Sequence, residues 1–166
     1  MTNKLKVTSQ GEREIVMTRV FDAPRELVFD VWTQADLLKR WLWGPDEWPL
    51  SVCESDPRVG GKLRLVWRHR DGKEMGMSGV WRELKRPERI VHTEIFDEDW
   101  TGGEATVTTV LTEQGGKTTM TQTIRYSSVM ARDIVLKSPM EHGMGLSYDR
   151  MEKFMASKRG ERPVAR

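Results

Sequence analysis

The chain has 166 residues, with 27 Lys and Arg against 25 Asp and Glu and a formal net charge of +2. With 37% apolar and 31% charged residues, it reads as one polar-surfaced globular domain, long enough to bury a core without disulfides or metals. The charge is near neutral and the two signs alternate along the chain, which argues against a nucleic-acid partner, since such proteins usually carry a strongly basic domain or stripe.

Residues 1–12 read as an N-terminal extension, 13–157 as the domain and 158–166 as a basic tail. The stretch REIVMTRVFD at 13–22 predicts a strand with imperfect alternation, carried by Ile15, Met17 and Val20 to Phe21. A helix follows. Asp22 or Ala23 is expected to cap it, Pro24 suits its first turn, and Leu27, Val28, Val31 and Trp32 form its apolar stripe. Thr33 is expected to cap a second short helix that ends before Gly44-Pro45. Trp41, Trp43 and Trp48 crowd around that turn, so a packed corner is expected there, either as the edge of a lid or as an anchor of the short helices.

From there the period is two. Strands are predicted at 49–55, 62–70, 74–85, 89–96, 105–113 and 117–127, separated by Gly60-Gly61, Asp71-Gly72, Arg86-Pro87, Gly102-Gly103 and Gly115-Gly116. Such short connections imply antiparallel hairpins, because parallel neighbours need long crossovers. After Ser128 the pattern is helical again, and Ser138-Pro139 opens a long helix in which Met140, Met144, Tyr148, Met151 and Met155 recur at three and four. The fold class is therefore α+β: a curved antiparallel sheet of about seven strands, gripping one long C-terminal helix. A gap between the two is the default place for a pocket.

Side chains alternate across a strand, so hydrophobicity sets which face points inward. Leu63, Leu65, Trp67 and His69 face inward on one strand, and Met75, Met77, Gly79 and Trp81 on the next. Ile90 and Phe96 fix the phase of the third strand and carry His92 and Glu94 inward with them. Val107, Thr109 and Leu111 follow, then Met120, Gln122 and Ile124. The candidate ligand contacts are Leu65, Trp67, Met77, Trp81, Thr109 and Met120, with Gln122, Met144 and Tyr148 and the polar pair His92 and Glu94. The methionines are adaptable walls or plain core filler.

His92 and Glu94 stand two apart on one face. They can pair with neighbours, hold a ligand hydroxyl or carbonyl, or act as base and acid. His142 could join them around zinc, but the spacing matches no metal motif, and neither a metal nor a cofactor is expected. There is no serine-nucleophile motif and no phosphate loop, and the mid-strand Cys53 reads as a buried thiol. As the one cysteine it cannot form an intramolecular disulfide, and residues 1–14 lack a signal peptide's apolar core, so a cytoplasmic location is expected. No run is long enough for membrane insertion.

The segments FDAPRELVFDVWTQADLLKRWLWGP, CESDPRVGGKLRLVWRHRDGKE and GVWRELKRPERIVHTEIF, with EHGMGLSYDRMEKF near the end, resemble the START-like helix-grip (SRPBCC) superfamily. Within it they are most similar to the family of activators of the heat-shock protein 90 ATPase. The resemblance spans about Ile15 to Ser157. It implies a helix-grip domain that binds a small hydrophobic molecule between sheet and C-terminal helix. Two alternatives accompany that reading: a cyclase- or dehydratase-type enzyme using His92 and Glu94, and a chaperone-interacting domain. The eukaryotic co-chaperones carry an additional N-terminal domain, for which no matching segment is seen. A homodimer is left open.

Overall fold

The computed structural model describes residues 3–100 and 102–161. Its strands are β1 (Lys6–Gln10), β2 (Glu14–Phe21), β3 (Leu50–Ser55), β4 (Lys62–Arg68), β5 (Glu74–Lys85), β6 (Arg89–Phe96), β7 (Ala105–Gln114) and β8 (Lys117–Arg125). Helices α1 (Arg25–Thr33) and α2 (Ala35–Leu38) lie between β2 and β3, and α3 (Val129–Lys137) and α4 (Met140–Glu161) follow β8. The strands form one antiparallel sheet in the order β1-β2-β8-β7-β6-β5-β4-β3. From β3 onward the chain is a hairpin meander. The β2-to-β3 connection alone crosses the sheet, and it carries α1 and α2 with it.

Eight strands are present where about seven were expected. The additional one is β1, in the stretch read as an N-terminal extension, and it pairs Val7 with Met17 on β2. Its sequence KVTSQ holds one apolar residue and is largely exposed, so it carries no period-two signal. The alternation of β2 is regular: Ile15, Met17, Arg19 and Phe21 all face inward. Arg19 made it look imperfect. Its side chain is only 3% exposed, and its guanidinium reaches Asp149 on α4 at 2.8 Å, so a charge sits in a core-facing position because the helix supplies its partner.

The helix caps also differ from expectation. Pro24 is the N-cap of α1 and has no side-chain bond to offer. The Arg25 N–H instead donates to Glu113 Oε1 at 2.9 Å, across from the β7–β8 turn. Gln34, not Thr33, stands at the N-cap of α2, while the Thr33 hydroxyl donates back to Phe29 O. Ser128 caps α3 through the Ala131 N–H at 3.0 Å.

The core has two parts. The larger joins α1, α2 and α4 to the β4–β5 half of the sheet through Trp41, Leu63, Leu65, Trp81 and Tyr148. The smaller joins α3 to the β2–β8–β7 half through Ile15, Val107, Ile124 and Val135. The α2–β3 connector meets α4 where Gly44 lies on Gly143. A Cβ on Gly44 would stand 2.9 Å from Gly143 O, whereas a Cβ on Gly143 or Gly145 would meet nothing within 4 Å.

Candidate functional site

Where the two parts of the core meet, a cavity of about 120 Å³ remains between the sheet and the C-terminal helices. Period-two alternation delivers Glu94 and Phe96 to it from β6, and Gln122 and Ile124 from β8, with Tyr126 continuing that phase just past the strand's end. Trp32 enters from α1 and Val135 from α3, and the helical spacing of α4 adds Met140, Met144 and Tyr148. Trp100, in the β6–β7 loop, is 39% exposed and lies 5.4 Å from the Phe96 ring, which puts an aromatic pair at the rim.

His92 is fully buried between the rings of Trp32 and Trp81, at 5.8 and 5.3 Å. Its Nε2 is 3.0 Å from Glu94 Oε2. An ionised carboxylate only accepts, so Nε2 carries the hydrogen. Nδ1 has no hydrogen-bond partner among the described residues. Glu94 is 23% exposed and so connects this buried ring to the cavity.

A second polar chain runs across the same wall. The Tyr148 hydroxyl donates to Gln122 Oε1, and Gln122 Nε2 donates to Thr109 Oγ1 at 3.1 Å. Burial pushes the Tyr148 phenol far above its ordinary range, and the Glu94 carboxylate pushes it further. The Trp32 indole N–H faces that oxygen and works slightly against the rise, but it falls short of a hydrogen bond and has no partner among the described residues. Tyr126 is raised by the same two causes in the same order.

Of the residues predicted to contact a ligand, Glu94, Gln122, Met144 and Tyr148 line this cavity. His92 stands behind Glu94, and Thr109 behind Gln122. Leu65, Met77, Trp81 and Met120 belong to the packed core instead. Trp67 is half-buried and donates its indole N–H to Leu42 O at 2.8 Å. The cause is Trp41. It is fully buried, donates its N–H to Val31 O, and packs on Trp32 at 5.4 Å and on Tyr148 at 5.7 Å. That indole belongs to the same buried cluster as Leu65, Met77, Trp81 and Met120, where the sequence pattern alone would allow a pocket.

The tryptophan-rich corner is an anchor. Trp43 lies under the Arg150 guanidinium of α4 at 4.2 Å, and Trp48 packs on His69 at 4.9 Å. His142 lies in another groove, with Lys4, Arg19 and Asp149. No three His, Cys, Asp or Glu side chains among the described residues are grouped to hold a metal ion. Sequence reasoning missed Met17, Trp32, Trp100, Ala105, Tyr126 and Val135 in the lining. Tyr126 was within reach, since it continues the inward phase of Gln122 and Ile124.

An antiparallel sheet wrapped on a C-terminal helix, with an apolar cavity between them, defines a START-like helix-grip domain, and domains of this fold commonly bind ligands. The chain belongs to the family described as Activator of Hsp90 ATPase homolog 1-like protein, whose family model matches residues 22–156. It is similar to a solved protein of Rhodobacter sphaeroides, with 30% identity over 93% of this chain and 99% of that one and a TM-score of 0.88. A Nitrosomonas europaea protein shares the fold at 21% identity, covering 91% of this chain and 99% of that one, with a TM-score of 0.80. An Arthrobacter aurescens protein does so at 22% identity, covering 92% and 91%, with a TM-score of 0.81. The comparison with curated proteins finds no match. No helix among the described residues is long and apolar enough to cross a membrane.

Proposed function

We propose that this domain binds a small, largely hydrophobic molecule between β6–β8 and helices α3 and α4. The observation that carries the reading is the cavity of about 120 Å³, with apolar walls and convergent Glu94, Gln122 and Tyr148. Ligand sites combine apolar walls with a few placed polar groups in this way, though their usual volumes are larger, roughly 300–1,000 Å³. The difference is met in two ways: the ligand's buried part is small, and Met140 and Met144 move aside, as unbranched thioether side chains can.

Native mass spectrometry of the purified chain tests this. A small-molecule adduct that leaves on denaturation is expected. Met144→Trp, which fills the cavity, is expected to lose the adduct and keep its melting temperature. An adduct that survives in Met144→Trp places the ligand elsewhere and sinks the reading.

The contact between His92 and Glu94 favours a second reading, proton transfer of the cyclase or dehydratase type. Glu94 reaches the cavity and would exchange a proton with the substrate, while His92 Nε2, 3.0 Å from Glu94 Oε2, would orient that carboxyl and share its proton. Turnover lost in His92→Ala with binding retained would support this reading, and unchanged turnover would remove His92 from any mechanism.

A further inference from the structure

We infer that the ligand presents a cation to this cavity: a tertiary or quaternary ammonium head on an apolar body. The inference rests on the binding reading above and names its ligand class. Among the residues lining the cavity there is one acid, Glu94, and no Lys, Arg or His. Five of the lining residues are aromatic: Trp32, Phe96, Trp100, Tyr126 and Tyr148. Ring faces carry negative potential, so a carboxylate among rings is the arrangement that recognises an ammonium group.

The electrostatic argument runs through Glu94. Its Oε2 is taken by His92 Nε2 at 3.0 Å, and Oε1 accepts no hydrogen bond from the described residues. Its remaining 23% exposure is what a ligand would cover. A neutral or anionic ligand would desolvate the carboxylate with only the His92 N–H on Oε2 to compensate, which is costly. A cation offsets that loss directly. Arg19 does not line this cavity, and its guanidinium is held by Asp149 at 2.8 Å with Glu152 3.9 Å away.

Hydrogen-bond capacity narrows the head group. Gln122 Oε1 is already engaged by Tyr148, so Glu94 Oε1 is the free charged acceptor. A primary ammonium brings three donors and would leave them poorly met. N-methyl groups need only ring faces and the sulfurs of Met140 and Met144. The size agrees, since an apolar cavity of about 150 Å³ holds benzene and this one measures about 120 Å³. The body would extend past Trp100, which is 39% exposed at the rim.

The test uses the full chain with choline and with its uncharged isostere, in which a quaternary carbon replaces the nitrogen. Calorimetry gives the affinities, and methyl signals of Met140 and Met144 give the location. Choline is expected to bind roughly tenfold or more tighter than the isostere. Glu94→Gln should erase that preference, weakening choline and tightening the isostere, which no longer desolvates a carboxylate. If Glu94→Gln does not fold, Trp100→Ala, at the exposed rim, is expected to weaken choline more than the isostere. Equal binding of the two probes overturns the cation claim but keeps the cavity reading. Binding by neither probe also overturns it, and the adduct experiment above then decides the cavity reading separately.

Discussion

Replacing Tyr148 by phenylalanine removes a single hydroxyl at the boundary of core and cavity. That hydroxyl is the donor to Gln122 Oε1, and the amide is held from its other end by Thr109 at 3.1 Å. Tyr148, Gln122 and Thr109 are all essentially unexposed. Tyr148→Phe therefore leaves a buried amide oxygen without its donor, at a cost of about 1–3 kcal/mol. For a domain of this length, the middle of that range lowers Tm by roughly 4–8 °C. Thermal and urea unfolding of the two proteins measure it. Adding Gln122→Leu removes the stranded acceptor, so the double variant is expected to be about 1 kcal/mol more stable than the sum of the single changes predicts. A loss below about 0.5 kcal/mol for Tyr148→Phe, which is the range of ordinary surface changes, would refute the claim that this bond fastens α4 to β8. So would strict additivity in the cycle.

Three further outcomes follow from described contacts. Asp149→Asn removes the charge of the nearer carboxylate from the buried Arg19 guanidinium and leaves it one carboxylate, Glu152 at 3.9 Å, beside the Phe21 ring. Because Asp149 itself is 62% exposed, a loss of only about 1–2 kcal/mol is expected in urea unfolding, and Arg19→Met in that background should recover part of it. Burial pushes the Cys53 thiol up to about 11; near pH 8 its thiolate fraction is then about a thousandth. Iodoacetamide labelling should be at least about tenfold slower in the folded chain than in urea, and equal rates would show the thiol to be open. The hydrogen bonds from Arg64 hold the Asp97 carboxyl below its ordinary 3.8. The folded pKa is depressed, so this pair's contribution is present above that value and fades as pH falls through the lowered one. Asp97→Asn should flatten the acid limb of stability against pH, and an unchanged limb would show that the exposed pair contributes nothing.

The inward phase of β4, β6, β7 and β8 was legible because strongly apolar residues recur at every second position, as with Leu63 and Leu65 or Ile90 and Phe96. That phase correctly carried His92 and Glu94 to the concave face, as their burial and mutual contact report. The division of that face into packed core and open space was not legible. Trp81 and Glu94 both point inward, but Trp81 is packed into a cluster that includes Trp41, which arrives from a loop and stacks on Tyr148, whereas Glu94 keeps an open side. Local pattern says which way a residue faces and nothing about which distant side chain comes to rest on it. β1 was missed for the opposite reason. It is an edge strand with one covered apolar residue, so its pairing with β2 is written in backbone hydrogen bonds and not in hydrophobicity.

The two glycines early in α4 bear differently on the cavity than Gly44 does. Gly44 is required by its neighbour, whereas Gly143 and Gly145 have open space where a side chain would stand. Sterics therefore do not keep them, and each weakens the helix by about 0.5–1 kcal/mol relative to alanine. The weakening falls on the turns that bear Met140 and Met144, two residues of the cavity lining. Alanine at both positions is expected to raise Tm and slow any exchange of the Met144 methyl signal. The first turns of α4 thus form a soft jamb beside a fixed hinge-post: Gly44 sets where the helix is held, and Gly143 and Gly145 set where it can yield.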